Sequence, residues 1–176
     1  MAKTTDEQPQ PLGVAVLTVS DTRTEETDTS GQYLVEALTT AGHRAVAKAI
    51  VVDDIYQIRA VLGTWIAAAG IDAVLVTGGT GFSGRDSTPE AVRPLFDKDI
   101  EGFGEVFRAL SLAEIGSSTI QSRALAGLAN NTVVFCMPGS TGACRTAWEG
   151  LIREQLDSSH RPCNFVGVLK ARKRQA

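Results

Sequence analysis

The run Leu12-Gly-Val-Ala-Val-Leu-Thr-Val19 constrains this chain more than any other segment. It is nearly continuous in apolar residues and rich in β-branched ones, so neither face suits water, and such a strand belongs at the centre of a sheet covered on both sides. Helical patterns follow to cover it. Asp28-Thr-Ser30 offers N-caps to a helix carrying Tyr33, Leu34, Ala37, Leu38 and Ala41 at helical spacing, stopped by Gly42. A second strand is predicted over Ala45 to Val52. Asp53 or Asp54 can then cap a helix bearing Ile58, Val61, Leu62, Trp65, Ile66 and Ala69, which Gly70 closes. Ile71 to Thr77 predicts a third buried strand. Val133 to Met137 predicts a later one, which leads through Pro138-Gly-Ser-Thr141 into a helix with Trp148, Leu151, Ile152 and Leu156. This alternation predicts an α/β chain, with a mostly parallel sheet, helices on both faces and right-handed crossovers.

The 176 residues suit one domain, placed at residues 12–169. A polar, disordered tail is expected at 1–11 and a solvated basic tail at 170–176. Lys and Arg number 17 against 20 Asp and Glu, a net charge of −3, so nothing in the overall balance attracts nucleic acid or an anionic membrane. Any polyanion must be held locally. No apolar stretch approaches the roughly 18 residues of a membrane span, and the N-terminus lacks the apolar stretch of a signal peptide, which leads to the expectation of a cytoplasmic protein. Cys136, Cys144 and Cys163 form an odd set without C-x-x-C spacing and read as reduced thiols. His43 and His160, the two histidines, are too few and too far apart in sequence for a His-rich metal site or a His-based triad.

In parallel sheets, ligands bind at the carboxyl ends of strands, and the unusual residues here fall there. Thr77-Gly-Gly-Thr-Gly81 follows a buried strand directly, and its glycines let backbone N–H groups approach an anion; a plain tight turn would use the same residues. It matches neither a Walker loop nor a dinucleotide fingerprint. Thr88, with Pro89 after it, reads as a capped helix start. Asp86 just before it is a turn residue or a Mg²⁺ ligand, and Arg85 a surface arginine or a neutraliser of phosphate charge. Met137-Pro-Gly-Ser-Thr141 repeats the strand, glycine loop and helix arrangement, with Ser140 or Thr141 as cap. Ser20-Asp21, Asp28-Thr-Ser-Gly31 and Asp53 add carboxylates and hydroxyls at the same sheet edge. The set suits a metal-bound polyphosphate, and hence phosphoryl or nucleotidyl transfer with Mg²⁺.

These motifs resemble the molybdenum cofactor biosynthesis proteins of the MoaB/Mog family. The resemblance is carried by Leu17-Thr-Val-Ser-Asp21, Asp28-Thr-Ser-Gly31, Thr77-Gly-Gly-Thr-Gly-Phe82, Arg85-Asp-Ser-Thr-Pro-Glu90, Gly102-Phe-Gly-Glu105, Gln121-Ser-Arg123, Ala126-Gly127 and Met137-Pro-Gly-Ser140, in family order. It implies a three-layer α/β/α fold, assembly as a homotrimer or homohexamer, and molybdopterin and ATP as ligands. In active members it implies transfer of AMP from Mg-ATP to the terminal phosphate of molybdopterin, with release of pyrophosphate. Carried over residue by residue, it places nucleotide or phosphate contacts on Gly78, Gly79, Thr80, Gly81, Gly139 and Ser140. Catalytic and metal-holding positions fall on Asp53 and Asp86, and molybdopterin contacts on Ser20, Asp21, Asp28, Ser30, Arg85 and Ser122. Two departures from the active Mog pattern motivate a second reading, a molybdopterin-binding or carrier protein without turnover. Ser140-Thr141-Gly142 stands where that pattern has a proline, and Gly84 precedes Arg85. Other proteins of the pathway are further expected partners. The apolar stripe Phe103, Val106, Phe107, Leu110 and Leu112 serves either the core or a subunit interface.

Overall fold

The computed structural model describes residues 9–171. In chain order the elements are β1 (Gly13–Val19), α1 (Thr29–Thr40), β2 (Arg44–Val51), α2 (Ile55–Ala67), β3 (Ala73–Thr77), α3 (Thr88–Val92), β4 (Lys98–Asp99), α4 (Glu101–Ile115), β5 (Leu125–Ala129), β6 (Thr132–Met137), α5 (Thr141–Ala147), α6 (Arg153–Gln155) and α7 (Val166–Ala171). A π-helical turn at Trp148–Ile152 joins α5 to α6. The sheet runs in the order β2-β1-β3-β6-β5-β4. β1 is buried at every residue and pairs in parallel with β2 and β3, and β3 pairs in parallel with β6. β5 is antiparallel to β6 and to the two-residue β4, so the parallel arrangement predicted from the alternation ends at β6.

Side chains alternate across the sheet and so build two separate cores, one on each face. Val14, Val16, Ala73, Leu75, Val133 and Phe135 meet Leu34 and Leu38 of α1, Phe103 and Phe107 of α4 and Cys144 of α5. Their neighbours Ala15, Leu17, Val74, Val76, Val134 and Cys136 meet Ile58 and Leu62 of α2 and Ala91 and Val92 of α3. The result is a three-layer α/β/α fold. Asp28 and Asp54 cap α1 and α2, and Ser140 caps α5 by accepting from the Ala143 N–H at 3.1 Å. α3 differs from the expectation. Thr88 is its first residue rather than its cap, and the Thr88 hydroxyl donates to the Gly78 carbonyl at 2.9 Å, which ties this helix to the glycine loop.

The hairpin β5–β6 turns through Asn130 and Asn131, both at positive φ (50° and 58°), the geometry of a tight two-residue turn. Gly127 in β5 leaves room for the Phe96 ring, which any Cβ would overlap. The α4 stripe divides. Phe103 and Phe107 enter the core, while Val106 (46% exposed), Leu110 (38%) and Leu112 (56%) stay at the surface.

Lys170 and Ala171, expected in the basic tail, end α7, with the Lys170 ammonium 3.3 Å from the Pro11 carbonyl and 3.8 Å from Asp72. The remainder of that tail, and residues 1–8 of the N-terminal one, lie outside the described residues. Among the described residues no helix is long and apolar enough to cross a membrane.

Candidate functional site

β1 leads to β2 on one side of it in the sheet, and the chain then returns to place β3 on the other. The cleft above the carboxyl ends of β1 and β3 is therefore the switch point of the sheet, where strand-end loops diverge and leave space for a ligand. Register brings three strand ends level. Thr18 stands opposite Thr77, and Thr77 opposite Met137, so Ser20-Asp21, the 78–81 loop and Pro138-Gly139 emerge side by side.

Sterics select glycine in this loop. Gly78 has φ +106°, and a Cβ there would overlap the Val19 carbonyl oxygen; Gly79 has φ +65°, and a Cβ there would lie 2.6 Å from Asp53 Oδ2. Gly81 lies against Asp86, whose Oδ2 would be 2.8 Å from an added Cβ. The second loop lies close to the first: a Cβ at Gly139 would come within 3.3 Å of the Gly78 Cα, and the Gly78 N–H donates to the Met137 carbonyl at 3.0 Å.

The carboxylates flank this loop. Asp54 faces away from it and caps α2, accepting from the N–H groups of Tyr56 and Gln57. Asp53 turns toward it, with Oδ1 accepting from the backbone N–H and the hydroxyl of Ser87 at 3.0 and 2.5 Å. Asp86 Oδ2 accepts from the Ser83 N–H at 2.8 Å. Among the described residues no group of three or more His, Cys, Asp or Glu is placed to hold a metal. Asp53 lies against Gly79 and Asp86 against Gly81, so the loop carries one carboxylate at each of these glycines; Mg²⁺ in general takes one or two carboxylates and completes its shell with phosphate oxygens and water.

At the rim, Arg85 donates to both oxygens of Asp21, from Nε at 2.9 Å and from a terminal nitrogen at 2.8 Å. Asp21 Oδ1 also accepts from the Asp53 N–H at 3.0 Å. The Arg85 guanidinium, and after it the Asp53 N–H, hold the Asp21 carboxyl below its usual range, and Asp21 in turn raises Arg85. Ser20 closes a local turn, its hydroxyl accepting from the Thr22 and Arg23 N–H groups.

Asp28 and Ser30, expected at the molybdopterin surface, lie beneath it. Asp28 is fully buried, with its oxygens engaged by Thr18, the Gly31 N–H and Lys48. Ser30 donates to the Gly139 carbonyl at 2.7 Å, so these residues support the second loop. Ser122 is brought to the site by the Arg123 N–H, which donates to the Thr80 carbonyl at 3.0 Å. It lines a groove of about 760 Å³ with Phe82, Arg108 and Arg123.

Two residues central to this geometry were not among the predicted site positions. Arg123 donates to the carbonyls of Gly81 and Asp86, pairs with Glu90 and lies 5.2 Å from the Phe82 ring, clasping the segment between the glycine loop and α3 from both ends. Its place beside Ser122 in the Gln121-Ser-Arg123 motif was the available signal. Ser87, which holds Asp53, carried no signal beyond its neighbourhood. Cys144, buried beside Thr77, has its thiol pushed up to about 11 by desolvation, so it supplies no thiolate nucleophile near neutral pH.

Comparison with known proteins identifies the family and the fold. A family model described as "Probable molybdopterin binding domain" matches residues 15–158. Molybdenum cofactor biosynthesis protein B of Escherichia coli (strain K12) is 58% identical over 160 residues, covering 91% of this chain and 94% of the relative. The protein of the same name from Bacillus cereus is 48% identical over 149 residues, covering 84% and 88%. Among solved structures, a molybdenum cofactor biosynthesis protein B superimposes with a TM-score of 0.85 at 43% identity, covering 97% of this chain and all of that one. The tungsten cofactor synthesizing protein MoaB from Pyrococcus furiosus superimposes with a TM-score of 0.73 at 39% identity, covering 82% and 92%. With the matched region spanning every strand-end loop of the cleft, the chain belongs to the MoaB/Mog family of molybdenum cofactor biosynthesis proteins.

Proposed function

We propose that this protein is a molybdopterin adenylyltransferase, which binds molybdopterin, transfers AMP to it from Mg-ATP and releases pyrophosphate. The place in molybdenum cofactor biosynthesis rests on family membership and on relatives named for that process. The adenylyl transfer rests on one observation: two glycine-bearing strand ends, 78–81 and 139–140, meet at the switch point of the sheet with Asp53 and Asp86 on either side.

Each group has a physical task. The Gly78 N–H is taken by the Met137 carbonyl, so the amide N–H groups of Gly79, Thr80 and Gly81 would face phosphate charge, and Arg85 adds a full positive charge at the rim. Mg²⁺, held by Asp53 and Asp86, would offset the charge that develops around the α-phosphate. A terminal phosphate oxygen of molybdopterin attacks the α-phosphorus in line; the new P–O bond forms as the bond to the β-phosphate breaks, and pyrophosphate leaves with the electron pair. Holding the two substrates in line supplies rate without a covalent enzyme intermediate. Ser122 and the groove beside Phe82 and Arg123 supply polar and aromatic contacts for the molybdopterin ring. The chain acts as a homotrimer or homohexamer, a reading supported by the exposed Val106, Leu110 and Leu112 on α4.

The test is molybdopterin-dependent release of pyrophosphate from Mg-ATP, comparing the protein with an Asp86→Asn variant. Asparagine keeps an acceptor for the Ser83 N–H and removes the charge. Release that the substitution abolishes is the expected result. Molybdopterin binding without release would replace this reading with that of a carrier in the same pathway.

A further inference from the structure

The Arg85–Asp21 pair stands at the mouth of the cleft, and its setting separates what can move from what cannot. The backbone on both sides of Arg85 is tied down. Arg123 holds the Gly81 and Asp86 carbonyls, the Ser83 N–H donates to Asp86, and the Ser87 N–H donates to Asp53. Asp21 is equally fixed, since its Oδ1 accepts from the Asp53 N–H. The guanidinium itself is not confined: the Arg85 side chain is 66% exposed, and an added Cβ at neighbouring Gly84 would meet nothing within 4 Å.

An exposed ion pair is a weak restraint, because water and salt screen it. A phosphate group presents the same two-pronged acceptor to a guanidinium as a carboxylate does and carries more charge. A phosphate within reach of Arg85 would therefore compete with Asp21 for one cation. A guanidinium does not give up its proton near neutral pH, so Arg85 keeps its charge whichever partner it has.

We propose that the Arg85 guanidinium alternates between Asp21 and a phosphate group of the bound nucleotide, and that Asp21 is a positioning residue which sets nucleotide affinity by competing for it. The inference rests on the reading of this cleft as a nucleotide site. In it, Asp21 acts against binding rather than for it. The competition keeps the site from retaining a nucleotide phosphate too tightly for turnover, and it gives Arg85 a defined resting place from which a rotation of side-chain torsions reaches the cleft.

The experiment is titration of Mg-ATP into four proteins by calorimetry at physiological ionic strength, where charges more than about 8 Å apart are largely screened. The four are the unaltered chain, Asp21→Asn, Arg85→Ala and the double variant. Asparagine at 21 retains an acceptor for the Asp53 N–H, and melting curves check that each variant folds. Asp21→Asn is expected to tighten Mg-ATP by about two- to fivefold, the range an exposed ion pair corresponds to. Arg85→Ala is expected to weaken it by about tenfold or more, as for loss of a charged hydrogen-bonding partner. The decisive outcome is the coupling: the gain from Asp21→Asn disappears when residue 85 is alanine. An equal or larger gain in the Arg85→Ala background would mean that Asp21 acts by charge alone and overturns the proposal, as would weaker binding by Asp21→Asn. Absence of Mg-ATP binding to the unaltered protein overturns both the proposal and the adenylyltransferase reading, whereas binding without coupling overturns the proposal alone.

Discussion

Asp53 and Ser87 are joined twice, the Asp53 Oδ1 accepting the backbone N–H of Ser87 at 3.0 Å and its hydroxyl at 2.5 Å. This pairing fixes the carboxylate that follows β2 against the start of α3, with its other oxygen beside Gly79. The next residue, Asp54, is engaged elsewhere and caps α2. Two adjacent aspartates thus have separable tasks.

Substitution should separate them. Asp53→Asn is expected to lower molybdopterin-dependent pyrophosphate release by roughly 10²- to 10³-fold, the scale for removing one electrostatic stabiliser from a reacting site. Asp54→Ala is expected to cost about 1 kcal/mol of stability through loss of an N-cap, with activity per folded molecule retained. Steady-state assays beside urea denaturation curves check both. Equal effects of the two substitutions on activity would place the wrong aspartate in the site.

Gly78→Ala and Gly84→Ala should also diverge. At 78 a methyl group meets the Val19 carbonyl at positive φ, two defects that together are expected to cost at least about 2 kcal/mol. At 84 there is open space and no positive φ, so alanine is expected to be neutral or to stabilise by up to about 1 kcal/mol through the unfolded chain. Denaturant midpoints of the two variants decide the matter.

His43 gives the fold an acid-sensitive point. It is buried, and its Nδ1 accepts from the Leu12 N–H at 3.3 Å, which requires that nitrogen to be unprotonated. Desolvation lowers its pKa from 6.5, against the opposing charges of Asp157 and Asp72. The unfolded chain therefore takes up this proton first as pH falls. The stabilisation is complete above about pH 6.5 and is lost as pH drops through the lowered native value. The denaturation midpoint should fall between about pH 8 and pH 5.5. His43→Asn, which keeps an acceptor near Nδ1, should flatten that fall. Asp157, whose carboxyl is held low chiefly by Ser159, titrates outside this window.

Sedimentation equilibrium should find a species three or six times the 18.6 kDa chain. Val106→Asp with Leu110→Asp should release the monomer while Phe103 and Phe107 keep α4 on the core. A single 18.6 kDa species for the unaltered protein would contradict the oligomer.

Much of the architecture was written in short stretches of the chain. The apolar run before Ser20 and the capping residues Asp28 and Ser140 act through neighbours a few residues away, where strand period and N-cap geometry decide the outcome, and the positive φ of Gly78 and Gly79 is a property of the residue itself. β5 escaped the reading because Leu-Ala-Gly-Leu-Ala is short and carries no β-branched residue, although Asn130-Asn131 marked its turn.

What such patterns left open was the direction in which each polar side chain would face. Either aspartate after β2 suited a cap; a partner 34 residues on, Ser87, draws Asp53 into the cleft. Asp28 and Ser30 suited a ligand surface, and the packing of α1 under the second loop covers them. Arg85 finds Asp21 across 64 residues, and Arg123 reaches Gly81 across 42. The physical reason is range. Backbone hydrogen bonding and torsional preference act over a turn or a strand and leave a periodic mark, whereas the burial and pairing of a charge depend on which distant loops the assembled sheet brings level.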